Sequence, residues 1–438
     1  MLNSNALAKI QSIILILIIV VAAVGGAAYV LWNGPSQSSE PIKIGFLADL
    51  DALHGKNSYQ GAILASEQLN AEGGILGRQV KIIGEDTDAE SGTDLSKIST
   101  ALTRLLTYHE VDFVVGSGYE AALDIIAEQK KIYIAFVQTT DTPTQRILDD
   151  YAKYKYFFKY YPANATQLYT SLIDELEFAR EMMGFNKIGY LADDHLWIQG
   201  MTDGLDISLP ELGFDLVYKG KFPPFDTLDF SIYFAAVEAA GVEILVPLIA
   251  FGNAISFAKE YNDRQSPMVV FGGSLTGATQ VNSWEQTGGK CKYITSLMLP
   301  VTAGYPLTSK TLPFRDSYID KWGEGPLNVG ASAYDIIRFL LPDAIERAGT
   351  LETEAVIKSL EESHIETSLT RSFRFTSNHD VYYREGMLSD PDEDGFISAL
   401  FQWQENGTLA PIYPKQLMEE AGATYLYPHW SGPWDDIS

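Results

Sequence analysis

From residue 42 onward, short apolar runs alternate with amphipathic helical stretches, and this alternation limits the possible folds more than any other feature. Residues 42–47 predict a strand and residues 59–70 predict a helix whose apolar positions lie on one side. Strands at 80–83, 111–115 and 132–137 follow, separated by further helices. This βαβαβ progression predicts a parallel sheet that is covered by helices on both faces.

The pattern then starts again, with a helix over 165–184 and strands that end near residues 191, 248 and 271. Two successive α/β sets of similar size predict two lobes, connected at 153–162 and again at 300–306. Two lobes with several crossings form a hinge that can close over a solute. A ligand is then expected at the carboxyl ends of the strands, in the cleft between the lobes.

The predicted organisation divides the chain into a membrane segment with its flanks and two lobes. The divisions are a cytoplasmic N-terminus at 1–12, a transmembrane anchor at 13–32, a linker at 33–41, lobe I at 42–160 plus 304–375, and lobe II with a closing hairpin at 161–303 plus 376–438.

The segment 13–32 carries no charged residue and, as a helix, is long enough to cross a bilayer core of about 30 Å. Lys9 precedes the segment without any acidic residue, which predicts a cytoplasmic N-terminus and a large extracytoplasmic domain. The expected location is therefore the cell membrane, with a single pass. Small residues at Ala27 and Ala28 also suit signal-peptidase cleavage, so a cleaved signal is the alternative.

The net charge of −26 arises from 57 acidic and 31 basic residues. Such a surface repels nucleic acid, which argues against a nucleic-acid partner. The single cysteine, Cys291, can form neither an internal disulfide nor a metal cluster. We expect its thiol to be inert, and we expect neither a metal nor a cofactor.

Candidate ligand-binding residues are those that follow the predicted strands, where polar and aromatic side chains can reach the cleft. They are His54, Ser117, Tyr119, Glu120, Thr139, Thr140, Asp194, Trp197, Phe251, Ser274 and Tyr305. Some have a structural alternative, because the threonine hydroxyls equally suit capping of the next helix, and Trp197 could instead pack on its own lobe.

Several local motifs resemble those of the leucine/isoleucine/valine-binding protein family, the type I periplasmic binding proteins that serve ABC importers. Gly61-Ala62 followed by Asn70-Ala-Glu-Gly-Gly-Ile-Leu-Gly-Arg78 is similar to the family's helix start and helix-closing turn at the same spacing. Phe158-Lys159, followed by Pro162, resembles the family's first crossing between lobes. The resemblance covers about 42–415 and implies a two-lobed α/β fold, a captured small solute, and permease subunits of an ABC transporter as partners.

The chain departs from that family at positions that bear on the solute. Glu120 falls on or beside the place where amino-acid binders offer a serine hydroxyl to the ligand carboxylate. Leu275 stands where those proteins place an acid for the ligand ammonium. The expected solute is therefore a small polar organic compound, such as an amino acid, an amide or a related molecule, with a planar or apolar part.

Other functions remain as alternatives. The same fold could serve as a ligand-binding ectodomain for a separate sensory partner. Gly116-Ser-Gly-Tyr-Glu-Ala121 satisfies a dinucleotide-binding pattern, but the following strand lacks the acidic residue that binds ribose. The acidic run 390–395 begins like a calcium loop, whose twelfth position would be Phe401 and not glutamate. No other enzyme motif is present, so we expect a binding protein and not an enzyme.

Overall fold

The computed structural model describes residues 40–89, 94–161, 164–251, 253–278, 280, 282–382, 395, 399–435 and 437. The expected N-terminus at 1–12, the anchor at 13–32, most of the linker and the acidic run at 390–394 lie outside the described residues. Within the described ranges, no helix is both long enough and apolar enough to cross a membrane.

The first lobe contains a five-stranded parallel sheet in the order β2-β1-β3-β4-β5. Its strands are β1 Ile42–Ala48, β2 Val80–Asp86, β3 Phe113–Ser117, β4 Tyr133–Val137 and β5 Phe157–Lys159. The helices between them are α1 Leu53–Ala71, α2 Leu95–Thr103 with a π-helical turn at Arg104–Tyr108, α3 Ala122–Gln129, α4 Thr142–Asp149 and α5 Tyr151–Tyr154.

The second lobe contains a parallel sheet in the order β10-β8-β6-β7, with β9 also paired to β8. Its strands are β6 Lys187–Asp193, β7 Asp215–Phe222, β8 Ile244–Ile249, β9 Val269–Val270 and β10 Ser274–Leu275. Its helices are α6 Ala165–Met183, α7 Leu196–Glu211, α8 Ser231–Ala239, α9 Ala254–Arg264 and α10 Ser283–Thr287. The predicted pair of parallel α/β sheets is therefore confirmed.

A small antiparallel sheet, β11-β12-β13, brings distant parts of the chain together beside the second lobe. It consists of β11 Thr295–Met298, β12 Ala399–Trp403 and β13 Leu409–Tyr413. The remaining helices are α11 Pro300–Ala303, α12 Thr311–Trp322, α13 Asn328–Asp335 with a π-helical turn at Ile336–Leu340, α14 Leu341–Ala348, α15 Thr353–Glu361 and α16 Lys415–Glu420.

Each lobe has its own hydrophobic core. Buried side chains from β1, β3 and β4 pack with those of α13 to α15, which return to the first lobe late in the chain. Buried side chains of β6, β8 and α6 pack with a C-terminal aromatic segment that includes Tyr425, Trp430 and Trp434. The chain therefore folds as two bodies around separate cores, with the cleft between them.

The turn that closes α1 shows why the motif at 70–78 has its sequence. The Asn70 side chain accepts a hydrogen bond from the Val80 amide at 2.7 Å and donates to the Val80 carbonyl at 2.8 Å, so it fastens the helix end to β2. Gly74 has a φ of +75°, and a Cβ there would lie 1.9 Å from the Arg78 carbonyl oxygen. Only glycine fits that position.

Strand β3 lies two residues later than the sequence pattern predicts. The Val111 amide donates to the Leu105 carbonyl at the end of the preceding helical turn, so Val111 is not part of the sheet ladder. The ladder consequently runs to Ser117. This difference places Ser117 at the carboxyl end of the strand, where the cleft begins.

Candidate functional site

A cavity of about 250 Å³ lies between the lobes, at the carboxyl ends of both parallel sheets. From the first lobe, Asp49 follows β1 and Ser117 ends β3, which are neighbouring strands at the point where the strand order reverses. From the second lobe, Ala250 and Phe251 follow β8, which pairs with β6 at the equivalent reversal. Ligands of open α/β sheets bind at such reversals, and here two of them face one cavity.

The cavity wall has a polar side and an apolar side. The first lobe contributes mainly polar residues, namely Asp49, His54, Ser117, Tyr119, Gln138 and Thr139. The second lobe contributes mainly apolar residues together with one acid, namely Leu168, Leu172, Glu175, Trp197, Met201, Leu248, Ala250, Phe251, Ser274 and Thr276. The crossings between lobes close the floor with Tyr161, Leu297, Met298, Leu299, Thr302, Leu327, Asn328 and Val329.

The turn after β3 is held rigidly by hydrogen bonds. The Gly118 amide donates to the Val137 carbonyl at 2.7 Å, and the Tyr119 amide donates to the Ser117 carbonyl at 2.7 Å. The Tyr119 hydroxyl shares a hydrogen bond of 2.9 Å with Thr87, and burial raises the pKa of this phenol. These two amides are therefore engaged within the turn, which leaves side chains to meet a ligand.

Phe251 is positioned by the buried carboxylate of Asp193 at the end of β6. Asp193 is fully buried and accepts hydrogen bonds from the amides of Ala250 at 2.7 Å and Phe251 at 2.8 Å. Charge-assisted hydrogen bonds of this kind are stronger than neutral ones. The loop after β8 is thus fixed to β6, and Phe251 is held at the mouth of the cavity.

Trp197 lies in the first turn of α7. His195 caps this helix, because its side chain accepts a hydrogen bond from the Trp197 amide at 3.4 Å. The indole ring lines the cavity. Its N–H is buried and has no hydrogen-bond partner among the described residues. A buried donor without a partner is costly, so this N–H is available to an acceptor atom of a ligand.

Glu175 is a fully buried acid on α6 that lines the cavity. No side chain within the described part of the chain donates a hydrogen bond to its carboxyl oxygens, and only the backbone of Gly273 approaches them. Burial raises the pKa of Glu175 well above its usual value. The backbone of Gly273 lowers this pKa in part, and the negative charge of Asp174 raises it further. Gly272 leaves room for the carboxyl group, since a Cβ there would lie 3.2 Å from Glu175 Oε2.

Seven of the predicted site residues line the cavity. They are His54, Ser117, Tyr119, Thr139, Trp197, Phe251 and Ser274. Four others lie elsewhere. Glu120 is exposed and accepts a hydrogen bond of 2.8 Å from Thr140, which is also outside the cavity lining. Asp194 is exposed, and Tyr305 packs against Phe401. The carboxylate of Glu120 therefore does not enter the cavity wall.

Residues that the sequence reasoning missed include Glu175, Asp49, Gln138 and the floor residues. One available signal was the position of Glu175 in α6, where it shares the buried face with Leu172, Leu176 and Ala179 at helical spacing. An acid within an apolar stripe indicates an unusual environment. The floor residues come from crossings whose three-dimensional path has no local signal.

Other features of the site concern metals and thiols. The described residues contain no group of three or more side chains that could hold a metal ion. Cys291 is buried away from the cavity lining, and burial raises the pKa of its thiol to about 11. A thiol with so high a pKa is a poor nucleophile at neutral pH.

A family model described as periplasmic binding protein matches residues 41–384. Among curated proteins, the chain is 22% identical over 405 residues to Leu/Ile/Val-binding protein homolog 7 of Brucella abortus (strain 2308), which covers 88% of this chain and 94% of the relative. The homolog 7 of Brucella suis is 21% identical over 401 residues, with the same coverage of 88% and 94%.

Solved structures with a similar fold include a putative branched-chain amino acid ABC transporter from Silicibacter pomeroyi, with a TM-score of 0.73, 17% identity and coverage of 89% and 100% of the two chains. A branched-chain amino acid transporter substrate binding protein from Streptococcus pneumoniae, in complex with isoleucine, has a TM-score of 0.67 and 19% identity, and the match covers 85% of this chain and 100% of that one. A solute binding protein from R. palustris, in complex with benzoate, has a TM-score of 0.67 and 15% identity, and the match covers 90% of this chain and 99% of that one.

Proposed function

Because this chain belongs to the periplasmic binding protein family, we propose that it captures a small organic solute between its two lobes and delivers it to an ABC importer. The observation that supports this most is the cavity itself, since the strand ends of both sheets line one space of about 250 Å³. A hinged pair of lobes that encloses such a space binds a ligand by closing over it. The family consists of binding proteins, which fits the absence of an enzyme motif.

The proposed contacts are the seven cavity-lining residues that the sequence predicted, together with Asp49, Gln138 and Glu175. Trp197 and Phe251 offer flat apolar surfaces for the hydrocarbon part of a solute. Ser117, Thr139 and Gln138 offer hydrogen bonds to its polar part. Relatives of this fold have been solved with isoleucine and with benzoate, which are both small and partly apolar. A solute of that size with an apolar part suits this cavity as well.

Thermal-shift screening of the purified full chain tests solute capture. The screen includes branched-chain amino acids, amides, urea, aromatic acids and amines, and small-angle scattering then measures the radius of gyration with each stabilising compound. We expect at least one compound to raise Tm and to reduce the radius of gyration as the lobes close. Absence of both effects with every compound would contradict solute capture.

Delivery to an importer requires permease subunits as partners. Proteoliposomes that contain a candidate permease with its ATPase subunits should accumulate the stabilising solute only when this protein is present. A control variant that does not bind the solute should not support accumulation. Accumulation at the same rate without the protein would separate solute binding from transport.

We also propose that residues 13–32 anchor the protein in the membrane as a single span, with the large domain outside the cytoplasm. N-terminal sequencing of the mature protein tests this directly. An intact N-terminus and retention in the membrane after alkaline extraction are expected. A mature chain that begins near Ala28 would show that the segment is a cleaved signal.

A further inference from the structure

Glu175 has an environment that hydrogen bonds within the protein do not explain. Its side chain is fully buried, it lines the cavity between lobes, and only the backbone of Gly273 approaches the carboxyl group, since no side chain among the described residues donates a hydrogen bond to it. Buried carboxyl groups in folded proteins nearly always have several partners, so one in a ligand cavity that only a single backbone amide approaches indicates that the ligand supplies a further partner.

The charges around the cavity indicate the sign of that partner. Two carboxyl groups, those of Asp49 and Glu175, line the cavity, and His54 is its only titratable nitrogen within the described residues. No lysine or arginine is among the cavity-lining residues that the structure describes. Asp174, the neighbour of Glu175 on α6, adds a further negative field. This wall favours a positively charged group over an anion.

We propose that the buried end of the solute is a protonated nitrogen with N–H donors, such as a primary ammonium or amidinium group, and that it binds Glu175. The ligand's N–H groups replace the proton that Glu175 carries in the empty cavity. That proton passes to the solvent, so that Glu175–COOH and the free cation become a carboxylate–cation pair and one released proton. No bond between heavy atoms forms or breaks.

The structure around Glu175 is built to hold such a pair. The carboxyl group approaches the turn between β9 and β10, where Gly272 and Gly273 have φ values of +76° and +62°. A Cβ at Gly272 would meet both Leu172 at 3.0 Å and Glu175 at 3.2 Å, so a side chain at this position would crowd the carboxyl group. Burial raises the pKa of Glu175, which favours the protonated acid over the carboxylate when no cation is bound.

The inference rests on the proposed function and names the chemistry of its solute. Benzamidine, benzamide and benzoate test the charge, because they share one ring and a similar size and differ in whether the attached group is a cation, neutral or an anion. Isopentylamine and L-leucine extend the series to aliphatic compounds. Isothermal titration calorimetry of the full chain measures the affinity of each compound in buffers of different ionisation enthalpy.

We expect compounds with a cationic nitrogen to bind best and to release protons on binding, seen as a dependence of the binding enthalpy on the buffer. Glu175→Gln should weaken their binding on the order of 10- to 100-fold and abolish the proton release, because an ionic hydrogen bond is replaced by a neutral one. Glu181→Gln, an exposed position on the same helix, is the matched control and should change neither quantity.

A measurement without ligand guards against a variant that is simply misfolded. Because burial raises the pKa of Glu175 in the folded state, this group's contribution to stability is greatest below the unfolded pKa and is lost as pH rises. Between pH 5 and pH 8, the Tm of the native protein should therefore fall relative to that of Glu175→Gln.

Three outcomes are distinguishable. A preference for cations that Glu175→Gln removes supports the inference. Tightest binding of benzoate or benzamide, or binding of any cation that is unchanged in Glu175→Gln, overturns the inference and leaves solute capture intact. Failure of every compound, here and in the wider thermal-shift screen, overturns the proposed function and the inference with it.

Discussion

The imidazole ring of His54 meets the ring of Phe251 edge-on across the cleft, with centroids 5.3 Å apart and planes inclined by 72°. His54 lies in the first turn of α1 in one lobe, and Phe251 follows β8 in the other. Phe251 also packs against His195 and Phe225 of its own lobe, at 4.8 and 5.6 Å. The two rings thus form a contact between the lobes at the mouth of the cavity.

Phe251→Ala and His54→Ala should each favour the open form. An aromatic pair of this kind contributes about 0.5–1.5 kcal/mol, which corresponds to a loss of affinity of roughly two- to tenfold for a solute that requires closure. A double-mutant cycle in calorimetry measures the coupling between the two rings. Phe225→Ala is the control, because this ring touches Phe251 within one lobe only. Additive effects of the His54 and Phe251 substitutions would contradict a contact across the cleft.

Asp193→Ala should destabilise the second lobe. It leaves the part-buried amides of Ala250 and Phe251 without their acceptor, and each amide that stays unsatisfied costs up to about 1–3 kcal/mol. Urea denaturation should show a lower midpoint, and solute binding should weaken because Phe251 loses its fixed position. Asp215→Ala, at the exposed start of β7, is expected to change the midpoint little. Equal midpoints for the two variants would show that Asp193 does not hold this loop.

Gly272→Ala should be more harmful than an alanine at another glycine with a similar backbone. Gly272 and Gly213 have φ values of +76° and +81°, so both substitutions incur the cost of about 1 kcal/mol for this conformation. Only at Gly272 does the new Cβ meet Leu172 and Glu175, whereas nothing lies within 4 Å at Gly213. Urea midpoints and solute affinity of the pair isolate the crowding. Identical stability and affinity for both variants would argue against the close approach at Gly272.

Asp335 gives the first lobe a pH-dependent component of stability. Its buried carboxylate accepts hydrogen bonds from the amides of Ser368 at 3.0 Å and Leu369 at 3.1 Å, yet burial raises its pKa to about 6. The folded state therefore binds this proton more tightly than the unfolded state does. The stability that Asp335 contributes is greatest below about pH 4 and declines by roughly 2–3 kcal/mol as pH rises through about 6.

Asp335→Asn removes that pH dependence while it lowers stability at every pH, since one backbone donor loses its acceptor. The difference in the free energy of unfolding between native protein and variant should hence be larger at pH 4.5 than at pH 7.5. Asp316→Asn, at an exposed site, provides the control and should follow the native pH profile. A difference that is constant with pH would refute the raised pKa of Asp335.

The sequence alone determined the two α/β lobes, because the alternation of apolar runs and amphipathic helices is a local pattern that a parallel sheet requires. It also determined the closing turn of α1. There the Asn70 side chain binds the Val80 backbone, and Gly74 adopts a positive φ that leaves no room for a Cβ. The resemblance to a family of binding proteins, now confirmed by the match over 41–384, depended on the same local motifs.

Only the tertiary structure decided which side chains meet in the cavity. Ser117 ends β3 and Glu120 lies three positions later, and the path of the turn places Ser117 in the cleft and Glu120 in solvent. Glu175 reaches the cavity because α6 passes close to Gly272, in the turn between β9 and β10, and the floor comes from crossings near residues 161, 298 and 328. Contacts between residues so distant in sequence depend on how whole helices and sheets pack, and a local pattern contains no record of that packing.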